Sequence, residues 1–133
     1  SECIMAKSRN RLFADLVKTF YTGTGEEVAQ TIRSKKRKRL SNQEKTVIDN
    51  IPAGSVSAIT FYISAENNYD HHFTIISAVQ KSANDCDYTE FGTIITDTSL
   101  AEFEVRINND DFELLATPTK NNVDFKVTRI IVR

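Results

Sequence analysis

Apolar residues first recur at helical spacing along this chain and then switch to the two-residue alternation of strands. Near the N-terminus, Leu12, Phe13, Leu16, Val17 and Phe20 return every three or four positions, with Lys7, Arg9, Arg11 and Lys18 largely around the other side. That spacing predicts a short amphipathic helix. Ser8 supplies its N-cap, and Thr22-Gly23-Thr24-Gly25 a flexible stop. Val28 and Ile32 lie on one side of a further helical turn or two over residues 26–32.

After Asn50 the texture changes. β-branched and aromatic residues dominate, and loops rich in Asn, Asp and Ser break them at regular intervals. Candidate strands are Lys45–Ile48, Val56–Ser64, His72–Gln80, Tyr88–Thr96, Ala101–Ile107, Phe112–Thr117 and Val123–Val132. Phe103, Val105 and Ile107 alternate with Glu102, Glu104 and Arg106, and Phe125, Val127 and Arg129 with Lys126 and Thr128. Each such strand is expected to bury one face. Pro52-Ala53-Gly54, Glu66-Asn67-Asn68, Asn108-Asn109-Asp110 and Lys120-Asn121-Asn122 supply turn chemistry between them. The pattern predicts a mainly β fold, an antiparallel β-sandwich or jelly roll, preceded by an N-terminal helix and a basic linker. Residues 1–42 form the helix and arm in this reading, and residues 43–133 the β-sandwich domain. A chain of 133 residues without internal repeats is expected to build one core.

Charge sharpens this two-part picture. The formal net charge is only −1, yet residues 1–49 hold 11 Lys and Arg against 6 Asp and Glu, and residues 50–133 hold 6 against 12. A chain so divided can bind an anionic partner through its front or pair front to back with copies of itself. Of the 11 cations in residues 1–49, 6 sit in a basic arm, Arg33 followed by Lys35, Lys36, Arg37, Lys38 and Arg39. Five consecutive cations repel one another and cannot enter a core, so this stretch is expected to be solvated unless a partner neutralises it. Binding to phosphates is one use of such a run, and a nuclear import signal another. No aromatic residue interleaves it, which counts against stacking on single-stranded bases.

Other chemistry is sparse. Cys3 and Cys86 form no CxxC pair and no zinc spacing, so neither a disulfide nor a metal site is expected. His71 and His72 are adjacent, and adjacent strand residues face opposite ways, so they are read as a strand-end pair and not as ligands. The acidic hairpin Glu102, Glu104, Asp110, Asp111 and Glu113 lacks the oxygen spacing and placed Gly of a calcium loop. It is expected to be solvated charge that discourages edge pairing, with pairing to a neighbour's cations as the second reading. No nucleophile elbow, P-loop or HExxH occurs, so neither catalytic residues nor cofactors are assigned and no enzymatic role is expected. The longest apolar runs fall well short of the roughly 20 residues that span a bilayer, and no membrane partner is expected. Met5-Ala6-Lys7 reads as a natural start, with residues 1–4 as a scar or an upstream extension.

Four consecutive strand segments carry a resemblance. They are Tyr88-Thr89-Glu90-Phe91-Gly92-Thr93-Ile94-Ile95-Thr96, Leu100-Ala101-Glu102-Phe103-Glu104-Val105-Arg106-Ile107, Phe112-Glu113-Leu114-Leu115-Ala116-Thr117-Pro118, and Phe125-Lys126-Val127-Thr128-Arg129-Ile130-Ile131-Val132. Their order resembles a module in virion structural proteins of marine tailed phages, especially cyanophages, which runs T-E-Y/F-G, G-x-F-x-x-x-I, x-x-L-L-x-T-P and V-x-x-x-R. Upstream, Thr46-Val47-Ile48-Asp49 and Ser57-Ala58-Ile59-Thr60-Phe61-Tyr62-Ile63 fall where that module has two further strands. The basic residues usual in the second of these are absent, and Ser82-Ala83-Asn84-Asp85-Cys86-Asp87 stands in place of an H-D-G turn.

The resemblance implies a virion location and a non-enzymatic structural role as a capsid decoration, collar, tail or fibre component. It implies assembly through the N-terminal arm and the β domain, as a homo-oligomer with a trimer favoured. Other virion proteins, whether capsid, portal or tail subunits, are then the expected partners. In that setting the basic arm lies against acidic patches of a neighbouring subunit, with nucleic acid a minor partner, and the helix stripe docks on copies of itself or on the capsid. The alternative is a surface-displayed receptor- or glycan-binding module, a common use of jelly rolls.

Overall fold

The computed structural model describes residues 35–133. In chain order the strands among these residues are β1 (Lys35–Leu40), β2 (Thr46–Pro52), β3 (Ala58–Asn67), β4 (Asp70–Ser82), β5 (Asp85–Ile95), β6 (Ala101–Asn108), β7 (Asp111–Pro118) and β8 (Val123–Val132), with a 3-10 turn at Ala53–Ser55. They form a five-stranded sheet, β1-β8-β3-β4-β5, and a three-stranded sheet, β2-β7-β6, in which every pairing is antiparallel. The expectation of a mainly antiparallel β fold holds. The predicted helix with Leu12, Phe13, Leu16, Val17 and Phe20, and the basic residue Arg33, lie outside the described residues.

The hairpins follow from residues that accept left-handed backbone. Asn109 and Asp110 turn β6 into β7 with φ of 50° and 65°, the two-positive-φ loop whose twist matches that of the flanking strands. Between β3 and β4, Asn68 takes positive φ, 51°, and Tyr69 after it does not. Within β5, Gly92 takes φ 64° where the register against β4 shifts between Phe73 and Ile75. A Cβ there would meet Ile75 Cδ1 at 3.4 Å in a backbone conformation that L-residues avoid.

Both sheets supply one apolar cluster. Ile59, Phe61, Ile63, Ile76, Phe125 and Val127 come from the larger sheet, and Ile48, Ile51, Val105, Phe112, Leu114 and Ala116 from the smaller. Phe103 bridges them, its ring edge-on to Phe125 at 6.0 Å and to His72 at 5.6 Å. A bulge in β2 places Ile48 and Asp49, adjacent in sequence, both in the interior.

The strand least foreseen is β1. The cationic run expected to stay solvated pairs residue for residue with β8, from Lys35 opposite Thr128 to Leu40 opposite Val123. Alternation explains why it tolerates its charge: neighbouring side chains point to opposite faces, so like charges are kept apart. Leu40 is buried and anchors the strand. Lys36 reaches Asp49 at 3.5 Å and the Asn50 side chain at 3.3 Å, Lys38 donates to the Val47 carbonyl, and Arg39 approaches Asp124 at 3.5 Å. The run is therefore an edge strand of the larger sheet, where charged side chains are common.

His72 is buried on β4, and its Nδ1 accepts the Leu100 N–H at 3.1 Å. The ring is thus neutral with its proton on Nε2, which has no hydrogen-bond partner. Burial lowers its pKa below the ordinary 6.5, and the charge of Glu90 only partly opposes this. Since the folded value lies below the unfolded one, the unfolded chain binds the proton more readily. Stability is then full above the ordinary imidazole range and falls as pH drops through it. Urea midpoints at neutral and mildly acid pH should show this loss in the wild type and less of it in His72→Gln. Equal acid losses in both proteins would remove His72 as the cause.

Candidate functional site

The outward face of the larger sheet is the feature that the core does not account for. Register places its side chains in rows across the strands. One row runs Val132, Ala58, Val79, the next Ile130, Thr60, Ser77, and a third Thr128, Tyr62, Ile75, Phe91. A fourth runs Lys126, Ser64, Phe73, Ile94. Tyr62, Val79, Phe91, Ile94, Ile130 and Val132 are all exposed, Ile94 at 64%. Within the second row the Thr60 and Ser77 hydroxyls share a hydrogen bond of 2.9 Å.

Charge frames these rows at one end and along one edge. Glu66 stands between His71 at 3.7 Å and Lys126 at 3.9 Å, and Asp124 answers Arg39. On β1, Arg37 and Arg39 share the outward side with their cross-strand partners Lys126 and Asp124. A shallow groove bounded by Arg37, Arg39, Lys126, Glu66 and Asp124 lies at this corner. The opposite edge, β5, is exposed along nearly its whole length.

The residues of the predicted acidic hairpin do come together, on β6, β7 and their turn. Several of their charges are answered within the chain. Glu104 pairs with Lys45, Glu113 with Arg106 at 2.8 Å, and Asp111 accepts the Asn50 amide at 3.4 Å. Asp110 serves the turn, its carbonyl accepting the Ala53 N–H, and Glu102 points to solvent. His71 and His72 face opposite sides of β4, and among the described residues no three His, Cys, Asp or Glu side chains gather to hold a metal ion. Cys86 is a free thiol, half-buried, and burial followed by Asp85 and Asp87 pushes its pKa up, which holds it in its unreactive protonated form.

Two features escaped sequence reasoning. The first is the apolar outward face, whose signal was present: Ile75-Ile76 and Ile130-Ile131-Val132 are adjacent apolar residues, and these put apolar groups on both sides of a strand. The second is the ion pair of Asp49 and Arg129, 80 residues apart, which no local pattern announces.

No protein-family description and no curated protein matches this chain. Among solved structures, the tailspike protein of Acinetobacter phage vB_ApiP_P1 aligns with 74% of this chain at 10% identity and a TM-score of 0.49. The tailspike protein of Acinetobacter baumannii phage AM24 aligns with 74% of it at 10% identity and a TM-score of 0.43. The aligned part covers 22% of the first tailspike chain and 25% of the second. The expectation that the protein has no enzymatic role does not stand. Missing catalytic motifs, over a stretch equal to a quarter or less of those chains, do not exclude catalysis. No helix among the described residues is long and apolar enough to cross a membrane.

Proposed function

We propose that this chain is a structural component of a phage particle, of the tail or fibre kind, whose β-sandwich unit works by contact with neighbouring subunits. The observation that carries this reading is the outward face of the larger sheet. Single apolar side chains at a surface need no explanation, whereas contiguous ones framed by charge mark a place where another molecule sits. Tyr62, Val79, Phe91, Ile94, Ile130 and Val132 form such a surface. Covering it contributes about 25 cal/mol for each Å² of apolar area removed from water.

The resemblance of β5 to β8 to strands of marine tailed-phage virion proteins supports the same reading and suggests a cyanophage-type lineage. The neighbours are in the first place other copies, in a homo-oligomer with a trimer favoured, and in the second place other virion subunits. The stripe of Leu12, Phe13, Leu16, Val17 and Phe20 adds a second apolar attachment. Mass spectrometry of density-purified particles of the encoding phage tests the virion reading directly. Peptides of this chain should be present in stoichiometric amounts, and their absence from the particles would sink it.

A further inference from the structure

Among the described residues the larger sheet ends in two edges of opposite charge. At one edge β1 reads Lys35-Lys36-Arg37-Lys38-Arg39-Leu40, and at the other β5 carries Asp85, Asp87 and Glu90 with no Lys or Arg. Each edge strand has a row of backbone N–H and C=O groups facing away from its own sheet, ready to pair with another strand. We propose that copies of this chain associate edge to edge, the basic β1 of one copy joining the acidic β5 of the next, so that the sheet continues from subunit to subunit. The inference rests on the reading of the chain as an assembling component and names the partner, the two strands and the polarity.

Three observations favour this pairing. Like edges repel: β1 against a second β1 would set two cationic strands together, even with Asp49 beside Lys36 and Asp124 beside Arg39, and β5 against a second β5 three anions to three. A lysine-rich edge usually guards against pairing, and here it guards against every edge except an acidic one. The lengths also agree, since β1 has six residues and the acidic half of β5, Asp85 to Glu90, has six. Finally, β5 is the less protected edge, 11 residues long, with Phe91 and Ile94 exposed beyond its acidic half.

The topology dictates the geometry. Four successive antiparallel steps separate β1 from β5, so the two run in the same direction. Copies joined with their outward faces on one side therefore form a parallel β1–β5 pair. Such a contact uses a different patch on each partner, and it yields a closed ring if the rotation between copies closes and a filament if it does not.

Sedimentation velocity on the full chain tests this with two variants, Arg37→Glu with Arg39→Glu, and Asp85→Lys with Asp87→Lys. The wild type is expected to exceed monomer mass at low salt and to lose mass at about 1 M salt, where the Debye length falls to about 3 Å. Each variant alone opposes like charges at the substituted positions and should associate about a hundredfold more weakly or worse. An equimolar mixture of the two should assemble again, because each reversed edge meets its new opposite. Matching far-UV circular dichroism and urea midpoints establish that both variants are folded. Variants that assemble as the wild type does would overturn edge pairing and leave association through the apolar face standing. A wild type that stays monomeric at every salt overturns it as well, and the virion reading is then judged separately on the particle peptides.

Discussion

Replacing Asp49 with Ala is expected to destabilise the fold by about 3–5 kcal/mol, the range for removing one partner of a buried ion pair. Asp49 is 2% exposed, and the β2 bulge turns it inward to face Arg129 of β8 in the other sheet. The Arg129 Nη1 donates to the Asp49 carboxylate at 2.6 Å and to the Asn50 carbonyl at 3.1 Å. Its Nε is buried without a partner, so the guanidinium already depends on few acceptors. Lys36 of β1 lies 3.5 Å from the same carboxylate oxygen. One aspartate thus ties the edge strand and both sheets together. Without it a largely buried cation loses its counter-charge, and the loss exceeds what the pair contributes against a well-packed apolar substitute. Asp49→Asn keeps the shape and an acceptor and should recover part of the deficit. Urea midpoints of the two variants, taken with unchanged denaturant slopes, check this. An Asp49→Ala protein within about 1 kcal/mol of wild type, the scale of an exposed surface pair, would show that the carboxylate does not have this role.

Phe125→Ala should cost a similar amount, about 3–5 kcal/mol, for a different reason. Phe125 is 1% exposed on β8 and sits edge-on to Phe103 of the smaller sheet, which in turn meets His72 of β4. Truncation removes the transfer free energy of the ring and leaves a cavity between two sheets whose strands are held in register by their ladders and collapse only partly. Phe125→Leu, which refills much of the space, should be clearly milder. A pair of melts checks the ordering, and equal losses for Ala and Leu would mean that the edge-on contact with Phe103, and not volume, sets the cost.

Much of the β unit was legible in the sequence because its signals are local. The alternation of Phe103, Val105 and Ile107 with Glu102, Glu104 and Arg106 marked both the strand and its inward side. Asn109-Asp110 and Asn121-Asn122 marked turns, and Asn109, Asp110 and Asn122 do take positive φ. The acidic hairpin was recognisable from the same stretch, although its answering partners Lys45 and Asn50 come from elsewhere in the chain. The cationic run was read as a linker because its repulsion is a local fact, whereas its pairing with β8 and its ion pairs with Asp49 and Asp124 are not.

What the sequence by itself determined is most of the strands and turns and, where alternation is clean as in β6 and β8, the side turned inward, since a period of two and the steric demands of Asn, Asp and Gly act within a few residues. Tertiary structure alone decided that β1 enters the larger sheet, that Asp49 meets Arg129 between the sheets, and that the two edges of one sheet carry opposite charge. Each of these depends on which strands lie side by side. That choice follows from the summed packing and hydrogen bonding of residues far apart in the chain, which no local pattern records.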